Sequence, residues 1–381
     1  MNLHRAVIFL EDDSQDMEQA KPLLLETVLF CPILTWMCEK LKADGVKRFF
    51  IFSSPEYSED IHSCFRPEDD AIVSSDHEAL NAFLAEDGPV AVFPCPELPL
   101  DHGDNCAYRA DAGALRRSWS PAGQSEGAVA GAEPLKGWTA IYDLPRLQPL
   151  ELLCRDAVAE RHLKNGVRIL DPSAVYIDPR VDIGPGTVVL PGTILRGQTS
   201  IGRDCVIGPN AMIRDCIVGE DTEINASQTN ESVIGSHTHV GPFAYVRPGS
   251  RIGDHVKVGD FVEIKNSVIG DGTKISHLTY VGDSDVGREV NFGCGTVTTN
   301  YDGFQKHRCT IGDRAFIGCN TNLVAPVSVG QDSYIAAGAT ITKDVPEDAL
   351  AVARARQENK SGWAARRRRM QRGKTEDSGT T

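Results

Sequence analysis

Residues 234–264 read IGSHTHVGPFAYVRPGSRIGDHVKVGDFVEI, and an aliphatic side chain recurs at every sixth position of this stretch. The series consists of Ile234, Val240, Val246, Ile252, Val258 and Ile264. Two more series with the same spacing are Ile177, Ile183, Val189, Leu195, Ile201, Ile207, Ile213 and Ile311, Ile317, Leu323, Val329, Ile335, Ile341. Neither an amphipathic helix nor a long alternating strand has a period of six. Short strands joined by tight turns do have it, with one aliphatic side chain of each strand pointing inward.

Three six-residue sides make one triangular coil of 18 residues, so residues 167–345 supply about ten coils. Each coil would bury its aliphatic side chains against the coils above and below it. An ordinary β-sandwich would instead place its turn signals every 8–12 residues. The spacing therefore predicts a parallel β-helix. Between Val297 and Ile311 the repeat is interrupted by a polar segment, which predicts a loop that projects from one edge of the solenoid.

Composition excludes several classes of protein. The formal net charge of the 381 residues is −14, which argues against a nucleic-acid partner. No apolar run is long enough to span a membrane, and the N-terminal apolar stretch is followed at once by acidic residues, unlike a signal peptide. The eleven cysteines show no paired spacing, which predicts free thiols rather than a disulfide framework or a zinc site. We therefore expect a cytoplasmic protein with neither a nucleic-acid nor a membrane partner.

From about Arg161 to Trp363 the chain resembles the bifunctional N-acetylglucosamine-1-phosphate uridyltransferase/glucosamine-1-phosphate acetyltransferase family. The segments that carry the resemblance are NGVRILDPSAVYID, VGPFAYVRPGS, VGDFVEIKNS, KISHLTYVGD, VNFGCGTVTTNYDG and ITKDVP followed by ALAVARA. The resemblance implies a left-handed β-helix, since nothing in the spacing fixes the handedness. It also implies a homotrimer with acetyl-CoA sites between subunits. No metal is expected for the acetyl transfer.

The activity implied by the resemblance is transfer of an acetyl group from acetyl-CoA to the amine of glucosamine 1-phosphate. Two alternatives remain open at this point. One is an acyltransferase of the same fold that acts on another amino sugar or nucleotide sugar. The other is a non-catalytic homologue that regulates assembly through its N-terminal domain.

The sequence divides into five segments. Residues 1–100 begin with a βαβ pattern and are predicted to form a reduced, Rossmann-like α/β domain that resembles the family's nucleotidyltransferase domain in a degenerate form. Residues 101–140 are rich in Ala, Gly and Ser and predict a flexible linker. A connecting helix is expected over 141–166. The β-helix follows over 167–350, and a C-terminal arm with a basic tail over 351–381.

The N-terminal domain lacks the residues that uridyl transfer needs in the family. The family's glycine-rich phosphate loop falls on residues 12–17, DDSQDM, where aspartates would repel a triphosphate. The family's catalytic lysine falls on Leu23. We therefore expect no uridyltransferase activity.

Acetylation of an amino sugar needs a base for the amine proton, an anion pocket for the phosphate and donors for the oxyanion. His277, in ISHLTY, matches the family's proton acceptor. Arg247 and Lys265 lie 18 residues apart, one full coil, so they are expected to stack and to clamp one phosphate, since an unpaired stack of like charges would be unfavourable. By resemblance, Tyr280 and Asn291 complete the sugar-phosphate pocket. Glu263 is a further candidate, for a sugar hydroxyl or for orienting the site, and a plain surface charge is the alternative.

For the acyl donor, the family's positions fall on Cys294, Asn300, Tyr301, Cys319, Ala337 and Arg354, and Lys306 is expected to help Arg354 meet a phosphate of coenzyme A. A cysteine nucleophile at Cys294 or Cys319 is an alternative to direct transfer. Neither cysteine has an evident histidine partner in the sequence, which favours direct transfer.

Overall fold

The structure is a computed structural model of the chain, and it describes residues 3–10, 21–118 and 129–377. Residues 168–351 form a left-handed parallel β-helix with three faces, as the hexad pattern and the resemblance predicted. We number the faces in the order in which the chain reaches them. Every aliphatic side chain of the three hexad series lies in the interior, which confirms the inward positions.

The first face has eleven strands, which pair in parallel with their neighbours. They are Arg168–Ile169, Val188–Val189, Val206–Ile207, Glu223–Ile224, His239–Val240, Lys257–Asp260, Lys274–His277, Asn291–Phe292, Phe316–Ile317, Tyr334–Ile335 and Leu350–Ala351.

The second face has ten strands. They are Tyr176–Ile177, Ile194–Arg196, Met212–Arg214, Gln228–Asn230, Tyr245–Val246, Glu263–Lys265, Tyr280–Gly282, Val297–Thr299, Asn322–Val324 and Thr340–Ile341.

The third face has nine strands. They are Asp182–Ile183, Ser200–Ile201, Ile217–Val218, Val233–Ile234, Arg251–Ile252, Val268–Ile269, Ser284–Val286, Cys309–Ile311 and Val327–Val329. The predicted projecting loop leaves the corner between the second and third faces, between Thr299 and Cys309.

The N-terminal domain is an α/β domain, as predicted, and it is built on a six-stranded sheet. The strand order is Asp70–Ser74, Arg48–Phe52, Arg5–Phe9, Pro89–Phe93, Tyr108–Asp111 and Glu133–Pro134. The first four strands are parallel, and the last two are antiparallel. Two short antiparallel pairs are Glu97–Leu98 with Thr139–Ala140, and Thr27–Val28 with Cys31–Pro32.

The described residues contain six α-helices beside the sheets: α1 (Ile33–Ala43), α2 (Ser58–His62), α3 (His77–Phe83), α4 (Ala112–Ser118), α5 (Leu144–Lys164) and α6 (Trp363–Asp377). Short 3₁₀ turns occur at Leu23–Leu25, Pro55–Tyr57 and Pro172–Ala174. Helix α5 joins the two domains, and its Arg161 guanidinium donates to the backbone carbonyls of Pro179 and Val181 in the first coil. Among the described residues, no helix is long and apolar enough to cross a membrane.

Two expectations for the N-terminal half need correction. The segment 101–140, predicted as a linker, instead supplies two strands of the main sheet, because the strand at 108–111 is stabilised by pairing with Pro89–Phe93 rather than by its own composition. The prediction of free thiols is wrong for Cys95 and Cys106, which form a disulfide. The segment 12–17, which aligns with the family's phosphate loop, lies outside the described residues. Leu23, at the position of the family's lysine, is buried in a 3₁₀ turn.

Candidate active site

His277 is the last residue of a first-face strand and lies at the corner between the first and second faces. In the preceding coil its register partner is Asp260, and His277 Nδ1 lies 2.6 Å from Asp260 Oδ1. A carboxylate accepts a hydrogen bond, so Nδ1 carries the proton and the lone pair of the ring lies at Nε2. The same hydrogen bond holds the pKa of Asp260 below its usual range. The arrangement gives His277 the tautomer that a base acting through Nε2 requires.

The predicted acyl-donor positions continue along the same corner. Backbone hydrogen bonds stack successive coils there: Leu278 N–H donates to the Asp260 carbonyl, Gly295 N–H to Leu278, Asn320 N–H to Cys294, and Gly338 N–H to Cys319. The strand register places Asp260, His277, Cys294, Cys319 and Ala337 at equivalent positions of five successive coils. We call these five residues the corner column. Cys294 is half-buried, whereas Cys319 and Ala337 are exposed. The side chain of Arg354 lies against Gly338, next to the end of the column.

A glycine makes the close approach of two coils possible beside the column. A Cβ added to Gly259 would collide with the backbone carbonyl oxygen of Ser276, the residue before His277. A side chain at position 259 would therefore push apart the coils that bring Asp260 to His277. This requirement accounts for the sequence VGD directly before FVEI.

Arg247 and Lys265 lie at the opposite edge of the second face, and both are paired with carboxylates. Arg247 Nη1 lies 2.8 Å from Glu263 Oε1, and Lys265 Nζ lies 3.1 Å from Asp283 Oδ2. The premise that these two cations have no partner within the protein is therefore wrong, because a carboxylate from the following coil pairs with each of them. Because Glu263 pairs with Arg247, its carboxylate also belongs to this group of charged side chains.

Asp283 is a buried carboxylate at the centre of this edge, with a side chain that is only 5% exposed. Burial alone would raise its pKa, but hydrogen bonds from Asn266, Lys265 and Asn300 outweigh that effect and hold the pKa below its usual range. The Asn300 amide donates to Asp283 and also lies 3.4 Å from the Tyr280 hydroxyl. The structure thus brings Asn300, predicted at the acyl donor, into the cluster of charged side chains.

Lys306, also predicted at the acyl donor, lies beside Lys265. Repulsion from Lys265 lowers the pKa of Lys306, and Arg247 contributes in the same direction. We call Arg247, Glu263, Lys265, Asp283 and Lys306 the charge cluster. It contains three cations and two carboxylates, so its net charge is positive.

The remaining predicted residues are more dispersed. Asn291 begins a first-face strand and is the register partner of Lys274. Tyr301, in the projecting loop, is exposed, and its hydroxyl donates to the Gly303 carbonyl at 2.6 Å. In the same loop His307 Nε2 lies 2.8 Å from Asp302 Oδ2. Within the described part of the β-helix, no three His, Cys, Asp or Glu side chains lie close enough together to hold a metal ion.

Sequence reasoning missed Asp260 and Asp283, which hold the side chains of His277 and Lys265. A usable signal was present for both. Asp283 follows Lys265 by 18 residues, the spacing that linked Lys265 to Arg247, and Asp260 precedes His277 by nearly one coil. Applying the coil period to acidic residues as well as to cations would have found both.

Comparison with known proteins gives matches over the repeats. The family described as "Bacterial transferase hexapeptide (six repeats)" matches residues 180–215, 231–266 and 308–343. One similar solved structure is titled "Activity and Crystal Structure of Arabidopsis UDP-N-acetylglucosamine acyltransferase". The superposition covers 75% of that chain and 53% of this one, at 16% identity and a TM-score of 0.30. At that TM-score the overlap supports no conclusion about this chain.

Similar curated proteins include bacterial ones named "Bifunctional protein GlmU". The protein from Brevibacillus brevis is 53% identical over 224 residues, which are 59% of this chain and 49% of the relative. The protein from Caldanaerobacter subterraneus is 49% identical over 272 residues, which are 71% of this chain and 58% of the relative. The chain spans about half the length of the curated relatives it matches. It is therefore a hexapeptide-repeat protein that is similar to GlmU proteins at about 50% identity over more than half of its own length.

Proposed function

We propose that the β-helix transfers an acetyl group from acetyl-CoA to the amine of glucosamine 1-phosphate, giving N-acetylglucosamine 1-phosphate. The observation that carries this proposal is the pairing of His277 with Asp260 at the head of the corner column. The similarity to bifunctional GlmU proteins and to the hexapeptide transferase repeats supports the same reaction class.

In this mechanism, His277 Nε2 accepts the proton of the sugar amine as the amine attacks the acetyl carbonyl carbon. The imidazolium that forms lies against the Asp260 carboxylate, which stabilises the new positive charge. The electron pair of the breaking C–S bond leaves with the coenzyme A sulfur. Direct transfer of this kind needs no protein nucleophile.

The charge cluster would bind the sugar phosphate. Lys265 and Arg247 repel Lys306 and lower its pKa, and a phosphate placed among the three cations would relieve that repulsion. Tyr280 lies in the strand between the cluster and His277 and would contact the sugar. The second face would then hold the substrate with its phosphate at one edge and its amine at the other.

The acyl donor would lie along the corner column beyond His277, past Cys294, Cys319 and Ala337. Arg354 is exposed at the end of this path and would meet a phosphate of coenzyme A. Tyr301 in the projecting loop would contact the same ligand from a neighbouring subunit. We accordingly propose a homotrimer, which light scattering of the active protein would show.

The test is release of free coenzyme A from acetyl-CoA in the presence of a panel of acceptors. The panel contains glucosamine 1-phosphate, glucosamine 6-phosphate, glucosamine and a UDP-linked amino sugar. We expect the highest kcat/KM for glucosamine 1-phosphate. A higher value for another acceptor would replace the substrate assignment, and no turnover with any acceptor would favour the regulatory alternative.

We also propose that the N-terminal domain has no uridyltransferase activity. The buried Leu23 offers no cation to a triphosphate. UTP and N-acetylglucosamine 1-phosphate incubated with the protein and Mg²⁺ should give no UDP-N-acetylglucosamine above a control without protein.

A further inference from the structure

The disulfide between Cys95 and Cys106 lies beside a buried carboxyl group in the N-terminal domain. Cys95 follows the strand Pro89–Phe93, and Cys106 precedes the strand Tyr108–Asp111. Both cysteines are partly exposed, so a small molecule in solution can reach them. Glu97, two residues after Cys95, has no exposed surface. None of these residues takes part in the site proposed on the β-helix.

The Glu97 carboxyl group is in direct contact with one of the two sulfur atoms. Its Oε1 accepts the backbone N–H groups of Cys106, at 2.8 Å, and Ala107, at 2.6 Å, and lies 2.9 Å from Cys106 Sγ. Its Oε2 is buried without a hydrogen-bond partner. Burial raises the pKa of Glu97 to about 7, although the two backbone donors act against this. At neutral pH the group therefore exists in both protonation states, and it can give a proton to a thiolate or take one from a thiol.

The other cysteines of the N-terminal half are placed differently. Cys31, Cys38, Cys64 and Cys154 are buried, and burial raises the pKa of each of their thiols, to about 12 for Cys154. A buried thiol that resists ionisation reacts slowly with a disulfide. Exchange chemistry in this domain is therefore concentrated at Cys95 and Cys106.

We propose that Cys95, Glu97 and Cys106 form a thiol–disulfide exchange site for a small-molecule thiol, in which Glu97 carries the proton of Cys106. The thiolate of the small molecule attacks Cys95 Sγ, a new S–S bond forms, and the bond to Cys106 breaks. Cys106 leaves as a thiolate and takes the proton of the Glu97 carboxyl group. A second small-molecule thiolate attacks the mixed disulfide and releases Cys95. The protein disulfide gains two electrons, and two thiols become one small-molecule disulfide.

The experiment uses the full-length oxidised protein and glutathione as the probe. After incubation with reduced glutathione at pH 7, free thiols are alkylated, and the state of Cys95 and Cys106 is read by peptide mass spectrometry. We expect glutathione to open the bond and glutathione disulfide to restore it. Glu97→Gln, which keeps an oxygen to accept the two backbone N–H groups, should slow opening about tenfold or more. Asp101→Asn, an exposed carboxylate in the same segment, should leave the rate unchanged.

Three results would overturn the proposal. The bond could resist excess glutathione, as a purely structural disulfide does, or Glu97→Gln could exchange at the wild-type rate. Alternatively, the reduced protein could bind Co²⁺ with a thiolate charge-transfer band that both Cys95→Ser and Cys106→Ser abolish, which would make the cluster a metal site. If Glu97→Gln fails to fold, the rate of Cys106 alkylation in Cys95→Ser decides: we expect it to exceed the rate of the buried Cys154.

Discussion

Replacing Asp260 with asparagine removes the negative charge that faces His277 while keeping the size of the side chain and an oxygen that can accept from Nδ1. In the wild-type protein the two side chains are 2.6 Å apart, and they are 38% and 56% exposed. The carboxylate has two effects, since it selects the tautomer with a free lone pair at Nε2 and stabilises the imidazolium that forms during transfer. Asparagine retains part of the first effect and loses the second.

The exposure of the pair sets the expected size of the change. In a Ser-His-Asp triad, replacing the buried aspartate with asparagine lowers kcat by about 10⁴-fold. Water reaches both side chains here and screens their charges, so we expect Asp260→Asn to lower kcat by about tenfold to 10²-fold. Asp260→Ala loses the acceptor oxygen as well and should be slower still. His277→Ala should cost about 10²–10⁴-fold, the range for a positioned acid–base group.

The assay is coenzyme A release with glucosamine 1-phosphate, with kcat and KM determined separately for both substrates. KM for acetyl-CoA should change little, because the pair faces the amine. The double variant Asp260→Asn/His277→Ala should be no slower than His277→Ala alone, since Asp260 acts through the histidine. Asp271→Asn, an exposed carboxylate at a different corner, is the matched control. An Asp260→Asn enzyme with wild-type kcat would refute the assigned role of Asp260, and a His277→Ala enzyme with wild-type kcat would refute the base.

Three further predictions concern the cysteines, the charge cluster and the connecting helix. Cys294→Ala should keep kcat within about threefold of wild type, because direct transfer needs no thiol, and a loss as large as that of His277→Ala would establish a covalent intermediate. Asp283→Ala leaves the Lys265 ammonium without its carboxylate and should lower the free energy of unfolding in urea by about 3 kcal/mol, whereas a loss below about 1 kcal/mol would show that solvent screens the pair. Burial, with a smaller contribution from Arg161, lowers the pKa of His162 to about 4. Between about pH 4 and 6.5, His162 is therefore protonated in the unfolded chain and neutral in the folded protein. The free energy of unfolding should therefore fall by about 3 kcal/mol as the pH drops through that window. His162→Leu should abolish this part of the pH dependence of the free energy of unfolding.

The controls for these predictions come from the same chain. Cys319→Ala, at the next position of the corner column, separates an effect of the thiol from an effect of the column. For the charge cluster, Asp285→Ala removes a more exposed carboxylate that pairs with Arg308, and a smaller loss is expected. For the acid dependence, His239→Asn removes an exposed histidine and should leave the slope unchanged. The contributions of other titrating groups, including Glu97, to the free energy of unfolding cancel when wild type and variant are compared at each pH.

The hexad pattern predicted the solenoid well because each coil repeats one local rule. A residue such as Ile207 or Ile317 is buried by its own position in the repeat, with no need for information from distant sequence. The interruption between Val297 and Ile311 was equally visible, because it breaks the same rule. The handedness came from the resemblance alone, since a period of six has no preferred hand.

The partners of the charged residues were harder to predict because they depend on contacts between coils. Arg247 and Lys265 were considered as cations, and the acids that neutralise them come from the next coil. The disulfide was missed for a related reason. Cys95 and Cys106 flank a segment whose ends are brought together by strand pairing and by the Glu97 hydrogen bonds, and neither is encoded in the cysteine spacing.

A solenoid separates the residues that hold the fold from those that can carry chemistry. Most interior positions of the coils are filled by aliphatic side chains, while the equivalent corner position is Asp260, His277, Cys294, Cys319 or Ala337 in successive coils. Four kinds of side chain occupy one structural position because the corner backbone is held by coil-to-coil hydrogen bonds, which do not depend on the side chain. Substitutions in the corner column therefore change chemistry at little cost in stability. The glycine beside it has the opposite property, since a side chain at Gly259 would meet the Ser276 carbonyl and separate the two coils on which the His277–Asp260 contact depends.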